Sequence, residues 1–468
     1  MEIINMIAGW VWGLPLIIML LATGVYLTFK LGFIQIKGLW QGVELVSGKY
    51  SDPKHKGHLT YFQSMSTALS ATIGTGNIAG VATAIYFGGP GALFWMWVTA
   101  FFGMAIKFTS STLAVLFRDE SGSEIKGGPM YYIEHGFRKV FGWDMKWLAI
   151  FFALSTAVAA FGIGNMVQAN SVADAFSGFF GDAGDFNVFI IKLIIGLVMA
   201  VLAGMVIIGG IKRIGAVASY IVPFMSVIYI TGGIIILIMN ADLLSSAFAS
   251  VFKAAFTGEA AKGGLFGSAV MYTIRMGVAR GIFSNEAGLG TEAMAYSVSK
   301  TDNPVRTGLV SMIGPVIDTL IVCTITGLVI VISGAHLATD LNGASLTAEA
   351  FSMGLAGAGK VIVSFGLMFF AFSTIIAWYY YGEKGIEYLA GRGVIPFYKV
   401  LWVILIPIGA ITQLKLVWNI SDIFNGLMAL PNLIALLFLA GVVLNMKDKY
   451  FKCETRSAKR GSKNVLSR

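Results

Sequence analysis

The residues with most chemistry in them lie where apolar sequence is interrupted. Ser70-Ala71-Thr72-Ile73-Gly74-Thr75-Gly76-Asn77-Ile78-Ala79-Gly80 sets hydroxyls, an amide and glycines at the centre of one helix-length apolar segment. Tyr272-Thr273-Ile274-Arg275-Met276-Gly277-Val278-Ala279-Arg280-Gly281 interrupts another. Inside a bilayer an unpaired backbone N–H or C=O costs several kcal/mol, so a broken helix survives there only where it lines a cavity or ligand site. Unwound backbone at residues 74–77 offers N–H donors, and the half-helix beyond adds the positive end of its dipole, so an anionic group belongs beside Thr75, Gly76 and Asn77. Carbonyls freed around Thr273 and Gly277 are natural acceptors for a cationic group. Gln168, in a span interrupted by Gly162 and Gly164, is a further contact. The competing readings are glycines that only permit close helix packing and a glutamine that only bridges two helices.

The elements that must position these residues are membrane spans. Hydrophobic residues make up 57% of the chain and charged residues 12%, against about 25% charged in ordinary globular domains. Taking about 20 apolar residues per crossing, eleven spans are expected, near 10–30, 59–86, 91–117, 146–177, 188–211, 214–239, 264–298, 307–333, 350–381, 395–414 and 420–445. The first reads as a span rather than a leader, since no Lys or Arg precedes Lys30. Residues 130–139 look amphipathic and are expected at the membrane surface. Cys323 and Cys453 suggest no disulfide framework. The formal charge of +9 is spread over short connectors and one tail, which fits cytoplasmic loops rather than nucleic-acid binding.

Lys30 to Lys56, Arg118 to Lys139, Lys212, Arg213, Lys300, Arg306, Lys384 and Arg392 fall on one side, with the basic tail. Connectors 179–187 and 334–349 on the other side carry acids but no Lys or Arg. The positive-inside rule then puts the N-terminus outside and the C-terminus in the cytoplasm of a cell-membrane protein. Setting aside 1–58 as an extra helix with its connector leaves 59–239 and 264–445, joined by an extracellular connector at 240–263 and followed by a basic tail at 446–468. Each half opens with a broken helix, and five spans per half give opposite orientations. The fold expected is an all-α polytopic bundle with a five-plus-five inverted repeat and a midplane site between the breaks, the pattern of a carrier.

The run Gly88-Gly89-Pro90-Gly91-Ala92-Leu93-Phe94-Trp95-Met96-Trp97-Val98-Thr99-Ala100-Phe101-Phe102-Gly103 resembles the signature of the alanine/glycine:cation symporters, also called sodium:alanine symporters. Residues 74–80 and 277–288 are similar to the same family. The resemblance implies the amino-acid/polyamine/cation superfamily fold with one extra N-terminal helix. It also implies sodium-driven uptake of L-alanine, D-alanine or glycine, with no cofactor beyond the coupling ion. A zwitterion needs donors and acceptors in close company, which the two breaks and Gln168 would supply.

Sodium takes hard oxygen ligands. Ser373 and Thr374 are adjacent hydroxyls in an otherwise apolar ninth span, and they resemble the pair closing the common sodium site of the superfamily. Aligned on Asn77, the opposing carbonyls come from Ser70 and Ile73, and Phe370 completes the set; the bland alternative is bonding back to the parent helix. The sixth span has no lysine of the kind some proton-coupled relatives carry, which favours sodium over protons. Trp378, one turn beyond Thr374, faces the same way and is expected to wall the pocket, against the alternative of an interfacial anchor. Among intramembrane charges, Lys107 and Asp318 are expected to pair. Arg275, Arg280, Glu286 and Glu292 either gate or neutralise one another. Neither a channel filter nor a nucleophile with its base is evident, so channel and enzyme rank behind a carrier.

Overall fold

The computed structural model describes residues 2–50, 54–122, 124–177, 185–257, 266–412 and 415–465; the connector segments 178–184 and 258–265 and the last three residues lie outside them. Among the described residues there is no β-strand, only two isolated bridges, Leu59 with Ser299 and Asp119 with Lys126. Nine helices are long and apolar enough to cross a membrane, and a bent pair makes ten. The expected count of eleven is not reached on those criteria. The segment at 264–298 forms a helix, Phe266–Asn285, and a short one, Glu292–Ser297, but lacks a long apolar run.

Burial separates core from rim. Two-thirds of the apolar window is buried in Gly91–Leu116, Lys146–Ser177 and Gly357–Ala390, against 28% in Arg392–Ile411. Phe186, Leu197, Val201, Met205, Tyr220 and Phe224 on the outer helices are exposed, as lipid-facing side chains should be. The extra N-terminal helix, Gly9–Lys30, packs on Gly91–Leu116, where a Cβ at Gly24 would lie 2.8 Å from Phe102 Cβ.

The first break falls where the sequence indicates. Thr60 and Gln63 form a reciprocal cap that starts helix Tyr61–Thr72. Ile73 then turns extended (φ −76°, ψ 102°), and the chain resumes at a π-helical turn, Gly76–Gly80, bent by 51° from the first half. Gly74 N–H donates to Asn77 Oδ1 (2.9 Å), closing the turn.

The second break is elsewhere than expected. Helix Phe266–Asn285 runs unbroken through 272–281. Its glycines serve packing: a Cβ at Gly277 would lie 2.4 Å from Ala92 O, and one at Gly281 2.3 Å from Thr99 Oγ1. The interruption is at residues 286–291, where Glu286 (φ 54°), Gly288 (φ 96°) and Gly290 (φ 85°) adopt left-handed backbone. Asn285 Oδ1 accepts the Ala287 N–H (3.0 Å), and Asn432 Nδ2 donates to Gly288 O (2.8 Å), so side chains satisfy part of the unwound segment.

Three further expectations change. Residues 130–133 are buried, and Tyr132 bonds Asn432, so this stretch inserts into the bundle instead of resting on the membrane. The 240–263 connector contains a helix, Ala241–Thr257, whose Phe248, Phe252 and Phe256 pack on Phe94 and Trp97. The basic tail is no loose segment: the last helix continues to Val465, with Tyr450 buried against the bundle.

Candidate functional site

Between the two breaks lies a cavity of about 300 Å³ of empty space, of which only about 20 Å³ admits the centre of a water molecule. The first broken helix contributes Ala71, Thr72, Gly74, Thr75 and Gly76; the second contributes Phe283, Glu286 and Leu289. Ile163, Gln168, Trp378 and Asn425 complete the wall from three other spans. The site is thus small, lies at the centre of the bundle and draws on both halves.

Its electrostatics are set by acceptors. Gln168 Nε2 donates to Ile163 O (3.0 Å) and to Thr75 Oγ1 (3.2 Å). Because the Ile163 carbonyl can only accept, the amide nitrogen must face it, and Gln168 Oε1 is left buried without a partner. Asn425 Oδ1 is likewise buried and unpartnered. Glu286 accepts from Trp378 Nε1 (2.9 Å) through one oxygen and from Thr291 Oγ1 (2.8 Å) through the other. Opposite them, no side chain caps the π-helical turn at Gly76, so its leading N–H groups point a positive end at the cavity. One wall suits an ammonium and the other a carboxylate.

Trp378 is 1% exposed and lines this cavity, so it is no interfacial anchor. A Cβ at Gly164 would lie 2.2 Å from Trp378 Cβ, so the interruption at 162–166 lets the two helices meet.

Behind Gly74 four oxygens converge. Thr374 Oγ1 donates to Ser70 O (2.9 Å) and Phe370 O (3.0 Å). Ser373 Oγ donates to Phe370 O (2.8 Å) and reaches Ser70 O at 3.4 Å. The two hydroxyls do bond back to their own helix, yet both also meet a carbonyl of the first broken helix. Ile73 is the residue at which that helix ends. Hard oxygens in this number suit a small monovalent cation.

Three expected contacts are not at the cavity. Thr273 Oγ1 donates to Gly88 O (2.8 Å), tying its helix to the end of the first broken helix, and Gly277 is a packing contact. Asn77 turns away from the cavity: its Nδ2 donates to Asp318 O (3.0 Å) and Oδ1 (2.7 Å), with Ser284 Oγ (2.9 Å) and Thr319 Oγ1 (2.7 Å) on the other Asp318 oxygen. Asp318 therefore fastens both broken helices to the π-helical stretch Val316–Cys323. Among the described residues no ion pair joins Lys107 to Asp318 or Arg280 to Glu286; Arg280 lies over the Phe283 ring (5.8 Å). Glu286 and Asn425 are site residues that the motif reading did not select. The signal was there for Glu286: an intramembrane carboxylate beside Gly288-Leu289-Gly290.

A helical membrane bundle whose two interrupted helices face each other across a polar cavity, with a cation-sized oxygen cluster beside it, is a secondary transporter by architecture. The profile of the sodium:alanine symporter family matches residues 1–464, and the chain belongs to that family. It is 48% identical to the sodium/alanine symporter AgcS of Methanococcus maripaludis, over 98% of this chain and 99% of that protein. It is 35% identical to a Bacillus subtilis protein named "Probable sodium/glutamine symporter GlnT", over 97% of this chain and 91% of that one. A crystal structure of MhsT in complex with L-phenylalanine superposes with a TM-score of 0.55 at 13% identity, covering 84% of this chain and 98% of that one, which is a likeness of fold. The protein is a multi-pass, cation-coupled amino-acid symporter and not an enzyme.

Proposed function

We propose that this symporter moves alanine and glycine into the cell together with sodium, by alternating access. The observation that carries the reading is the small cavity in which Gln168 Oε1, Asn425 Oδ1 and the Glu286 carboxylate face the uncapped start of a half-helix. A zwitterion fits this division: its carboxylate on the backbone N–H groups and hydroxyl of Thr75 and Gly76, its ammonium on the three acceptors. The indole of Trp378 leaves room for hydrogen or a methyl group, so glycine, L-alanine and D-alanine are the cargo. Sodium would take the carbonyls of Ser70, Ile73 and Phe370 and the hydroxyls of Ser373 and Thr374, separated from the substrate only by Gly74. The excess of Lys and Arg on one set of connectors supports an outward N-terminus and a cytoplasmic C-terminus.

Uptake of labelled alanine into proteoliposomes tests this. A sodium gradient should drive accumulation and a proton gradient alone should not. Unlabelled glycine and D-alanine should compete, whereas leucine and glutamine, the latter named for one relative, should not. Accumulation driven equally well by protons would overturn the coupling, and competition by glutamine would overturn the size limit.

A further inference from the structure

The end of the bundle that carries the basic connectors is closed by a joint between the two halves. Residues 56–60 lead into the first broken helix, and residues 297–301 follow the second. His58 N–H donates to Val298 O (2.7 Å), Lys300 N–H to Leu59 O (2.7 Å) and Thr301 N–H to Lys56 O (3.3 Å). Ser299 Oγ donates to Ser64 Oγ (2.8 Å), and Tyr61 OH to Thr301 Oγ1 (2.8 Å). The approach is close enough that a Cβ at Gly57 would lie 2.4 Å from Lys300 N.

Arg118, just past helix Gly91–Leu116, stands over this joint with its side chain 5% exposed. One terminal nitrogen donates to Ser297 O (3.1 Å) and Ser299 O (3.0 Å). The other donates to Lys56 O (3.3 Å) and Thr301 O (3.4 Å), and Nε donates to Glu120 Oε1 (2.8 Å). A single guanidinium therefore grips carbonyls from both sides of the joint. Its planar fork of five donors can do this; an ammonium with three cannot reach all four carbonyls. The joint also abuts a polar hollow, lined by His58, Glu124, Tyr380 and Lys384. Tyr380 and Lys384 lie within two turns of the cavity wall at Trp378, on the same helix.

We infer that Arg118 is the positioning residue of the inner gate. Opening the cavity to this side requires residues 56–60 to leave residues 297–301, and the guanidinium sets how often they part. The inference rests on the alternating-access reading but not on which amino acid or cation is carried.

A cysteine reports the opening. Thr67 is one turn inward of Ala71's position toward the joint, buried, and bonded only within its own helix. Thr67→Cys in a Cys453→Ser background, in inside-out vesicles, is labelled with a membrane-impermeant thiosulfonate. Arg118→Ala should speed labelling about ten-fold, the factor for losing about one charge-assisted hydrogen bond. Arg118→Lys should give a smaller rise, and it decides the matter if Arg118→Ala does not reach the membrane. Thr347→Cys, buried at the other end of the bundle, should label no faster in either variant. Unchanged Thr67→Cys labelling, or an equal rise at both cysteines, overturns the gate. Labelling is read without transport, so a wrong cargo or wrong coupling ion would leave this result intact.

Discussion

Gly74 separates the oxygen cluster from the cavity by one backbone unit, and a single methyl group there tests the coupling between them. In Gly74→Ala the new Cβ would sit 3.6 Å from Gln168 Oε1, an ordinary contact, but 2.7 Å from Thr374 Oγ1. Ordinary contact begins at 3.4 Å, so the hydroxyl must recede by about 0.7 Å, the difference of those two distances. Thr374 Oγ1 is held at 2.9 Å from Ser70 O and 3.0 Å from Phe370 O, and a shift of that size leaves the Ser70 carbonyl. Overpacking of this kind costs about 1–3 kcal/mol; about 1.4 kcal/mol falling on the cation-bound form is a ten-fold loss in apparent sodium affinity. Alanine uptake into proteoliposomes at graded sodium, with protein abundance measured alongside, reads this directly. Thr374→Ala removes the hydroxyl that clashes, so adding Gly74→Ala to it should weaken sodium no further, and the two changes should be strongly non-additive. A Gly74→Ala protein with unaltered sodium dependence would refute the assignment of Thr374 to the cation.

Trp378→Ala removes the wall against which the substrate side chain rests: valine and leucine should become competitors of alanine uptake, and alanine's own affinity should fall. A variant that still excludes leucine would show that another group sets the size limit. Glu286→Gln keeps an acceptor for Trp378 but removes the charge facing the ammonium, so alanine affinity should fall about ten-fold or more, whereas an unchanged affinity in equilibrium binding would take Glu286 out of the site. At the hollow beside the inner joint, burial foremost, with Lys212 and then Lys384 and Arg118 against the pull of Glu124, holds His58 below its ordinary value of 6.5. The neutral ring accepts the Ile125 N–H (3.4 Å); this contact is complete above that ordinary value and is lost as pH falls through the lowered one. Hydrogen exchange at Ile125, corrected for its intrinsic pH dependence, should therefore quicken in acid, and His58→Gln should abolish that change.

The first break was legible because hydroxyls and an amide accompany its glycines, and residues of that kind in an apolar helix have few uses other than a site. The second was misplaced by the same cue. Gly277 and Gly281 are small because Ala92 and Thr99 approach them, and close packing leaves the same mark on sequence as unwinding does. Gly288 and Gly290, flanked by Asn285, Glu286 and Thr291, carried the better signal: polar groups that satisfy a backbone no longer in a helix. Asn77 was legible as important but not in its role, since its partner, Asp318, lies 241 residues away. The hydroxyl pair at 373–374 fared better, because only the spacing within one helix and its register against one break had to be right.

Four π-helical turns interrupt these helices, at Gly76–Gly80, Tyr132–Gly136, Gly162–Met166 and Val316–Cys323. Each amounts to one surplus residue lodged in a helix. Deleting a residue from such a turn would restore a regular helix and swing everything beyond it by about 100°, the angle of one residue step. At Gly76–Gly80 that rotation would carry Thr273's acceptor at Gly88 and the Ile78 carbonyl, which Thr347 Oγ1 meets at 2.8 Å, off their partners. The turns therefore fix the length of the chain through the site, so that point substitutions can retune this carrier while single-residue deletions in the same segments cannot.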